Sequence, residues 1–142
     1  MVLTGLEQIR MTFPSELKGK NVGVLCHAPS ITSDFIHITD LLISSRECRL
    51  VSIFGPQHGL FGQTQDNMIE WSSSIHPEFG IPVYSLYGEH RKPTGEMLNG
   101  LEAFIVDLQD VGARLYTYIW TVKLCMEACA NAGIPVWILD RP

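Results

Sequence analysis

Acids, imidazoles and aromatic rings able to do chemistry recur in this chain near the ends of apolar runs. The carboxylates so placed are Asp66, Glu70, Glu89, Asp107 and Asp110. Two of them acting together could cleave a glycosidic bond, which needs one acid with a raised pKa and a second group that activates water or forms a covalent intermediate. Asp107 and Asp110 fit a structural role as well, capping the helix that follows and pairing with Arg114, and at least one of them is expected to do that instead. His58, Asp66, His90 and Asp107 form a second set whose donors would suit zinc or manganese, although no HExxH and no closely spaced ligand pair accompanies them. A nucleophilic serine has less support, because no G-x-S-x-G follows a strand. Trp71, Tyr84, Tyr87, Tyr116 and Tyr118 could stack on sugar rings, and each taken singly fits core or rim packing equally well.

The elements that must hold these groups can be read from the pattern of apolar runs. Ala103 to Val106 is a short apolar run suited to a strand buried on both faces, as parallel sheets require. Asp107, Gln109, Asp110, Arg114, Tyr116 and Tyr118 crowd the turn after it, with Gly112 easing the backbone path. Ligands of open α/β sheets bind at the carboxyl ends of strands, so this turn is the first candidate for the floor of a site.

Upstream, Leu6, Ile9 and Phe13 predict a short amphipathic turn before Pro14, and NVGVLC (21–26) a strand. His27-Ala28-Pro29-Ser30 follows as its loop, and Thr32 or Ser33 is the expected N-cap of a helix over 34–44 with Phe35, Ile38, Leu41 and Leu42 on one face. A second strand, RLVSIF (49–54), runs into a long polar stretch in which glycines 55, 59 and 62 let the backbone close around Gln57, His58, Gln65, Asp66, Asn67 and Glu70. The segment SSSIHPEFG (72–80) reads as surface loop with His76 solvated. PVYSL (82–86) is a third strand, Thr94 is expected to cap a two-turn helix ended by Gly100, and a helix of about four turns is expected to reach Asn131 with Gly133 as its C-cap. Lys123 and Glu127, at i and i+4, mark that helix's outer face. It is otherwise apolar nearly all round and should pack against both the sheet and another element. PVWIL (135–139) supplies the last strand, with Asp140 and Arg141 at its end.

Such alternation predicts an α/β fold: a Rossmann-like, mostly parallel sheet with helices on both faces and right-handed crossovers. No G-x-G-x-x-G or Walker motif follows the first strand, so the dinucleotide and triphosphate fingerprints are missing. His27, the 57–70 loop, Glu89 to Lys92, Asp107 to Arg114 and Asp140 all follow strands, and a parallel sheet gathers such loops on one edge.

A net charge of -5 and no basic cluster beyond Arg91-Lys92 argue against nucleic acid or an anionic membrane as partner. No apolar segment reaches the roughly 20 residues of a membrane span. The N-terminus lacks a signal peptide's basic start and continuous apolar core, so a cytoplasmic protein is expected, or an exported one whose signal has been removed. Cys26, Cys48, Cys125 and Cys129 form no CxxC pair and are expected as buried free thiols. Neither a metal nor a cofactor is expected.

Four segments taken together, FGPQHGLFG, YSLYGEHRKPTGEML, DLQDVGARLYTY and ILDRP, resemble in this order the NamZ-like exo-β-N-acetylmuramidases, bacterial proteins long catalogued as a domain of unknown function. The motifs run from Phe54 to Pro142, and the QDVGAR-YTY block is the most specific. The resemblance implies glycosidases that release N-acetylmuramic acid from the non-reducing ends of peptidoglycan fragments in cell wall recycling. It also implies a Rossmann-like N-terminal domain and a smaller C-terminal domain beside the cleft. Residues 1–142 then read as that N-terminal domain, a fragment of a longer two-domain protein whose missing C-terminal domain is a partner, as is the sugar or peptidoglycan fragment.

One position departs from the pattern. The family commonly shows Glu-His-Gly where this chain has Gln57-His58-Gly59, and that Glu is the natural candidate for the catalytic acid. Glutamine can hold a hydroxyl but cannot act as a general acid. Either Glu70 or Asp66 takes over the role, or this branch binds sugar without cleaving it. With the family activity, Glu70 or Asp66 would handle protons and His58 would serve in the catalytic set. Gln57, Gln109 and Tyr116 would contact sugar, Asp107 and Asp110 would order the loop and Arg114, and Arg114 or Arg91 would meet the lactyl carboxylate. A noncatalytic muramyl-sugar-binding protein and a metal-dependent hydrolase of another small substrate are the alternatives.

Overall fold

A computed structural model describes residues 2–62, 69–113 and 116–141. Its centre is a six-stranded sheet: β1 (Asn21–Cys26), β2 (Arg49–Gly55), β3 (Ser74–Ile75), β4 (Pro82–Ser85), β5 (Ala103–Asp107) and β6 (Val136–Ile138). The spatial order is β3-β4-β2-β1-β5-β6, and every pairing is parallel except that of β3 with β4. Val24 faces Ile53 on one side and Ile105 on the other, so the middle of the sheet is a band of apolar side chains.

Each face of the sheet has its own core, which is why the central strands are apolar throughout. Helices α1 (Gly5–Met11) and α2 (Ile38–Ser45) bring Leu6, Ile9, Ile38 and Leu42 onto Val22, Val24 and Ile53. On the opposite face, α3 (Tyr118–Ala132) sets Cys125, Ala128 and Cys129 against Leu25, Phe54, Phe104 and Val106. All four cysteines are free, and burial pushes each thiol up, Cys48 and Cys129 to about 11. Gly133, in the left-handed region at φ 68°, ends α3, with its N–H returning to the Ala130 and Cys129 carbonyls.

Three local expectations are corrected. The second helix starts at Ile38 rather than near Asp34, because the Thr32 hydroxyl accepts the Ile36 N–H at 3.0 Å and closes Thr32 to Ile36 into a separate turn. Asp34 pairs there with Arg10, His37 becomes the N-cap, and Phe35, at φ 64°, is 82% exposed instead of packed. Thr94 caps a chain of tight turns, not a helix: its hydroxyl accepts the Met97 N–H, but Pro93 and Gly100 leave too little chain to repay helix nucleation. His76 is buried, stacked on Phe79 at 4.4 Å, and its Nδ1 accepts the Glu78 and Phe79 N–H groups.

Candidate functional site

The connection from β1 crosses one face of the sheet through α2 to β2, and that from β5 crosses the other through α3 to β6. Because β1 and β5 are neighbours, their departing loops part company at the carboxyl edge. This is the topological switch point at which open α/β sheets hold ligands. A crevice of about 220 Å³ opens there, walled by His27 to Pro29 after β1, His58 and Gly59 after β2, and Gln109, Val111, Tyr116 and Tyr118 after β5.

The crevice rests on a buried polar frame. Asp107, fully buried at the end of β5, is held by Arg141 through two bonds, Nε to Oδ1 at 2.8 Å and Nη2 to Oδ2 at 2.9 Å. The Asp107 carbonyl accepts the Ser30 hydroxyl at 2.5 Å, and Ser30 Oγ lies 3.0 Å from both the backbone N and Nδ1 of His27. His27 is 4% exposed; burial first, then Arg141 and His37, holds its imidazole down at about 4, against an upward pull from the Asp107 carbonyl. Asp107 therefore stands behind the crevice as part of its support.

The β2 loop is fixed from below by an indole. Trp71 packs so closely on Gly55 that a Cβ there would lie 2.6 Å from the ring, and Trp71 Nε1 donates to the Pro56 carbonyl at 3.0 Å. The chain then turns sharply, with His58 itself at φ 73°, a conformation that costs an ordinary residue free energy and tends to persist where function requires it. Gln57 Oε1 accepts the Thr117 hydroxyl at 2.9 Å, tying the β2 loop to the start of α3.

Tyr118 meets the His27 ring edge-on at 5.3 Å, and Tyr116 lies 5.8 Å from Tyr118. Burial, then Tyr116, pushes the Tyr118 phenol up. Tyr116 also borders a second depression of about 500 Å³, shared with Asp110, Ile119, Trp120 and Lys123. Asp110 accepts the Gly112 N–H at 3.1 Å, a local bond within its own loop. Along α3, Ile119 and Trp120 are exposed at 62% and 63%, leaving bare the apolar face expected to meet another element.

Glu70 and Arg91 are elsewhere. They pair at 2.9 Å near the end of β4, where Glu70 borders a different depression with Glu89 and His90, and Arg91 stacks over the Tyr87 ring at 3.7 Å. Of the expected site residues, the structure thus brings His58, Gln109 and Tyr116 together, with Gln57 and Asp110 on adjoining turns and Asp107 beneath. It does not bring Glu70 or Arg91 to them. Asp66 and Arg114 lie outside the described residues. The suggested metal set does not converge either: His58 and His90 border different depressions and Asp107 is taken by Arg141, and among the described residues no group of three His, Cys, Asp or Glu could hold a metal ion. Trp71, Tyr84 and Tyr87 serve packing or cation stacking, which leaves Tyr116 and Tyr118 as the rings at the crevice.

The family model for the N-terminal part of exo-β-N-acetylmuramidase NamZ matches residues 22–142. The chain belongs to this family. It is 40% identical over 141 residues to the peptidoglycan β-N-acetylmuramidase NamZ of Bacillus subtilis (strain 168), covering 99% of this chain and 34% of that protein. Crystal structures of two DUF1343 family proteins from Bacteroides fragilis NCTC 9343 share its fold. One superimposes with a TM-score of 0.87 at 36% identity, covering 98% of this chain and 34% of the other. The second gives 0.77 at 32% identity, covering 99% and 35%. The chain thus spans about a third of the length of the relatives it matches.

His27, Ser30 and Arg141 are the site's main additions to what the sequence singled out. His27 was legible as a polar residue straight after a buried strand. Its partnership with Ser30 depends on a tight loop, and that of Arg141 with Asp107 on a parallel pairing of β5 with β6.

Proposed function

We propose that this domain forms the sugar-binding wall of an exo-β-N-acetylmuramidase, which releases N-acetylmuramic acid from the non-reducing ends of peptidoglycan fragments. The observation that carries the proposal is the crevice at the β1/β5 switch point, where two tyrosine rings, two imidazoles and an amide face one space in a chain of the NamZ family. Aromatic faces suit the apolar side of a pyranose ring, and amide and imidazole groups suit its hydroxyls. His58 and Gln109 bind hydroxyls, Tyr116 stacks on the ring, and Gln57 holds the turn that presents His58. With Gln57 unable to serve as a general acid, the proton is left to Asp66, or to Glu70 should the substrate extend from the crevice to the β4 end where Glu70 pairs with Arg91, and the lactyl carboxylate is met by Arg114.

The remainder of the protein is proposed to complete the site. At about 220 Å³ the crevice is smaller than the roughly 300 Å³ at which ligand pockets usually begin. The exposed Ile119 and Trp120 border the adjoining depression and offer the apolar face on which a second domain would close the cleft. A second reading, binding of muramyl sugars without cleavage, is favoured by Gln57 itself.

Release of product from a chromogenic N-acetylmuramic acid β-glycoside by the full-length protein tests both readings. A glycosidase that uses Glu70 gives release indifferent to chelator and lowered by orders of magnitude in Glu70→Gln. Unchanged release in that variant removes Glu70 from the mechanism, and saturable sugar binding without release supports the second reading. Release abolished by chelator would contradict both.

A further inference from the structure

The hydrogen bonds around Ser30 determine where the ring proton of His27 sits. The Asp107 carbonyl, 2.5 Å from Ser30 Oγ, can only accept, so the hydroxyl proton goes to it. Ser30 Oγ is left as an acceptor, and it takes the backbone N–H of His27 at 3.0 Å. His27 Nδ1 lies at the same 3.0 Å and must donate as well, because a bare nitrogen there would set lone pair against lone pair. Nδ1 carries the proton, and Nε2 is a bare acceptor. The neighbouring His37 has the opposite arrangement: its Nε2 donates to the His27 carbonyl at 3.0 Å, while its Nδ1 accepts the Thr39 hydroxyl at 2.7 Å.

Nε2 of His27 has no hydrogen-bond partner among the described residues. Among those residues Ser52 Oγ is the side-chain polar atom that is both sealed from solvent and unpartnered. Nε2 is therefore not sealed; it opens onto the crevice that His27 lines, from a residue otherwise 96% buried. The groups facing the ring from the other sides are the Asp107–Arg141 pair, His37 and the edge of Tyr118, and none of them supplies a donor to Nε2. A buried acceptor held in one tautomer, beside a tyrosine ring and with no described carboxylate lining the crevice, calls for a neutral O–H or N–H donor that the described residues do not supply.

We propose that His27 is a substrate-binding residue of the crevice, whose bare Nε2 accepts a hydrogen bond from a hydroxyl of the bound sugar. The proposal rests on the sugar-binding reading above and adds to it the residue and the atom. Ser30 and the Asp107 carbonyl are positioning groups that hold the ring in the accepting tautomer.

The test combines long-range ¹⁵N–¹H correlation of the histidine rings with calorimetric titration of N-acetylmuramic acid, both on the full-length protein. At pH 7 His27 should show Nδ1–H with an unprotonated Nε2, and the Nε2 resonance should move on addition of the sugar. His27→Leu should weaken binding about tenfold, the worth of one hydrogen bond to a neutral group, and His27→Gln, which can present an amide oxygen, should recover part of the loss. Tight sugar binding by the wild type with an Nε2–H tautomer, or with an Nε2 signal that does not move, overturns the role of His27 and leaves the sugar-binding reading standing. Absence of sugar binding by the wild type overturns both. The wild-type spectra decide the matter even where a variant fails to fold.

Discussion

Two polar clusters stand at the carboxyl edge of one sheet and are built in different ways. At the β1/β5 junction, Asp107 is fully buried, Arg141 grips it through two bonds, and Ser30 passes the order on to His27. At the β4 end, Glu70 and Arg91 meet through one 2.9 Å bond with their side chains 61% and 45% exposed. Water competes for the second pair and is excluded from the first, so the same chemical partnership is rigid in one place and adjustable in the other. The contrast teaches what each cluster can do. The switch point holds its side chains preorganised, as the proposed sugar wall requires, and the β4 end leaves its carboxylate open to exchange with solvent.

The largest effect should come from the buried frame. Asp107→Ala leaves Arg141 without its partner and should cost about 3–5 kcal/mol of stability in chemical denaturation; a loss below 1 kcal/mol would erase the difference between the clusters. A pH titration of stability sharpens the same point. The folded state keeps His27 neutral down to about 4, whereas an unfolded imidazole takes its proton near 6.5, so the unfolded chain binds more protons in that window. Wild-type stability should fall as pH drops from 6.5 to 4, by up to about 3 kcal/mol, and the fall should shrink in His27→Gln.

Catalysis comes next. Gln57→Glu places a carboxylate on the turn that Thr117 holds, and turnover of the chromogenic glycoside should stay within about threefold of wild type, because the proton already comes from another acid. A rise of about a hundredfold, the lower end of what a general acid contributes, would mean that no other acid of this branch does that work. Gly55→Ala drives a methyl into the Trp71 ring and should destabilise by about 1–3 kcal/mol while weakening sugar binding through the His58 turn. Smallest of all, Arg91→Ala should change stability by less than about 1 kcal/mol, as exposed pairs do.

Much of the fold was legible because parallel strands buried on two faces leave unbroken apolar runs: 21–26, 49–54 and 103–106 matched β1, β2 and β5 to within a residue. Gly133 marked the end of α3 for a local reason, its positive φ. What was less legible depended on side chains closing on distant backbone. The helix expected at 34–44 began late because Thr32 and Arg10 claim the residues before it, and His76 is buried by Phe79 rather than solvated. In the site, sequence order set Gln57, His58 and the QDVGAR-YTY block on one edge but could not show that Asp107 turns inward to Arg141 or that Glu70 stands apart. Those facts belong to the sheet order, in which β4 and β5 are separated by two strands.

The central claim is that sugar binds at the β1/β5 switch point, and a crystal structure of the full-length protein soaked with N-acetylmuramic acid tests it most directly. The sugar should lie between the His27 and His58 imidazoles with its ring beside Tyr116 or Tyr118, and a hydroxyl within hydrogen-bond distance of His27 Nε2. Sugar bound instead among Glu70, Glu89 and His90, with the crevice holding only water, would contradict it.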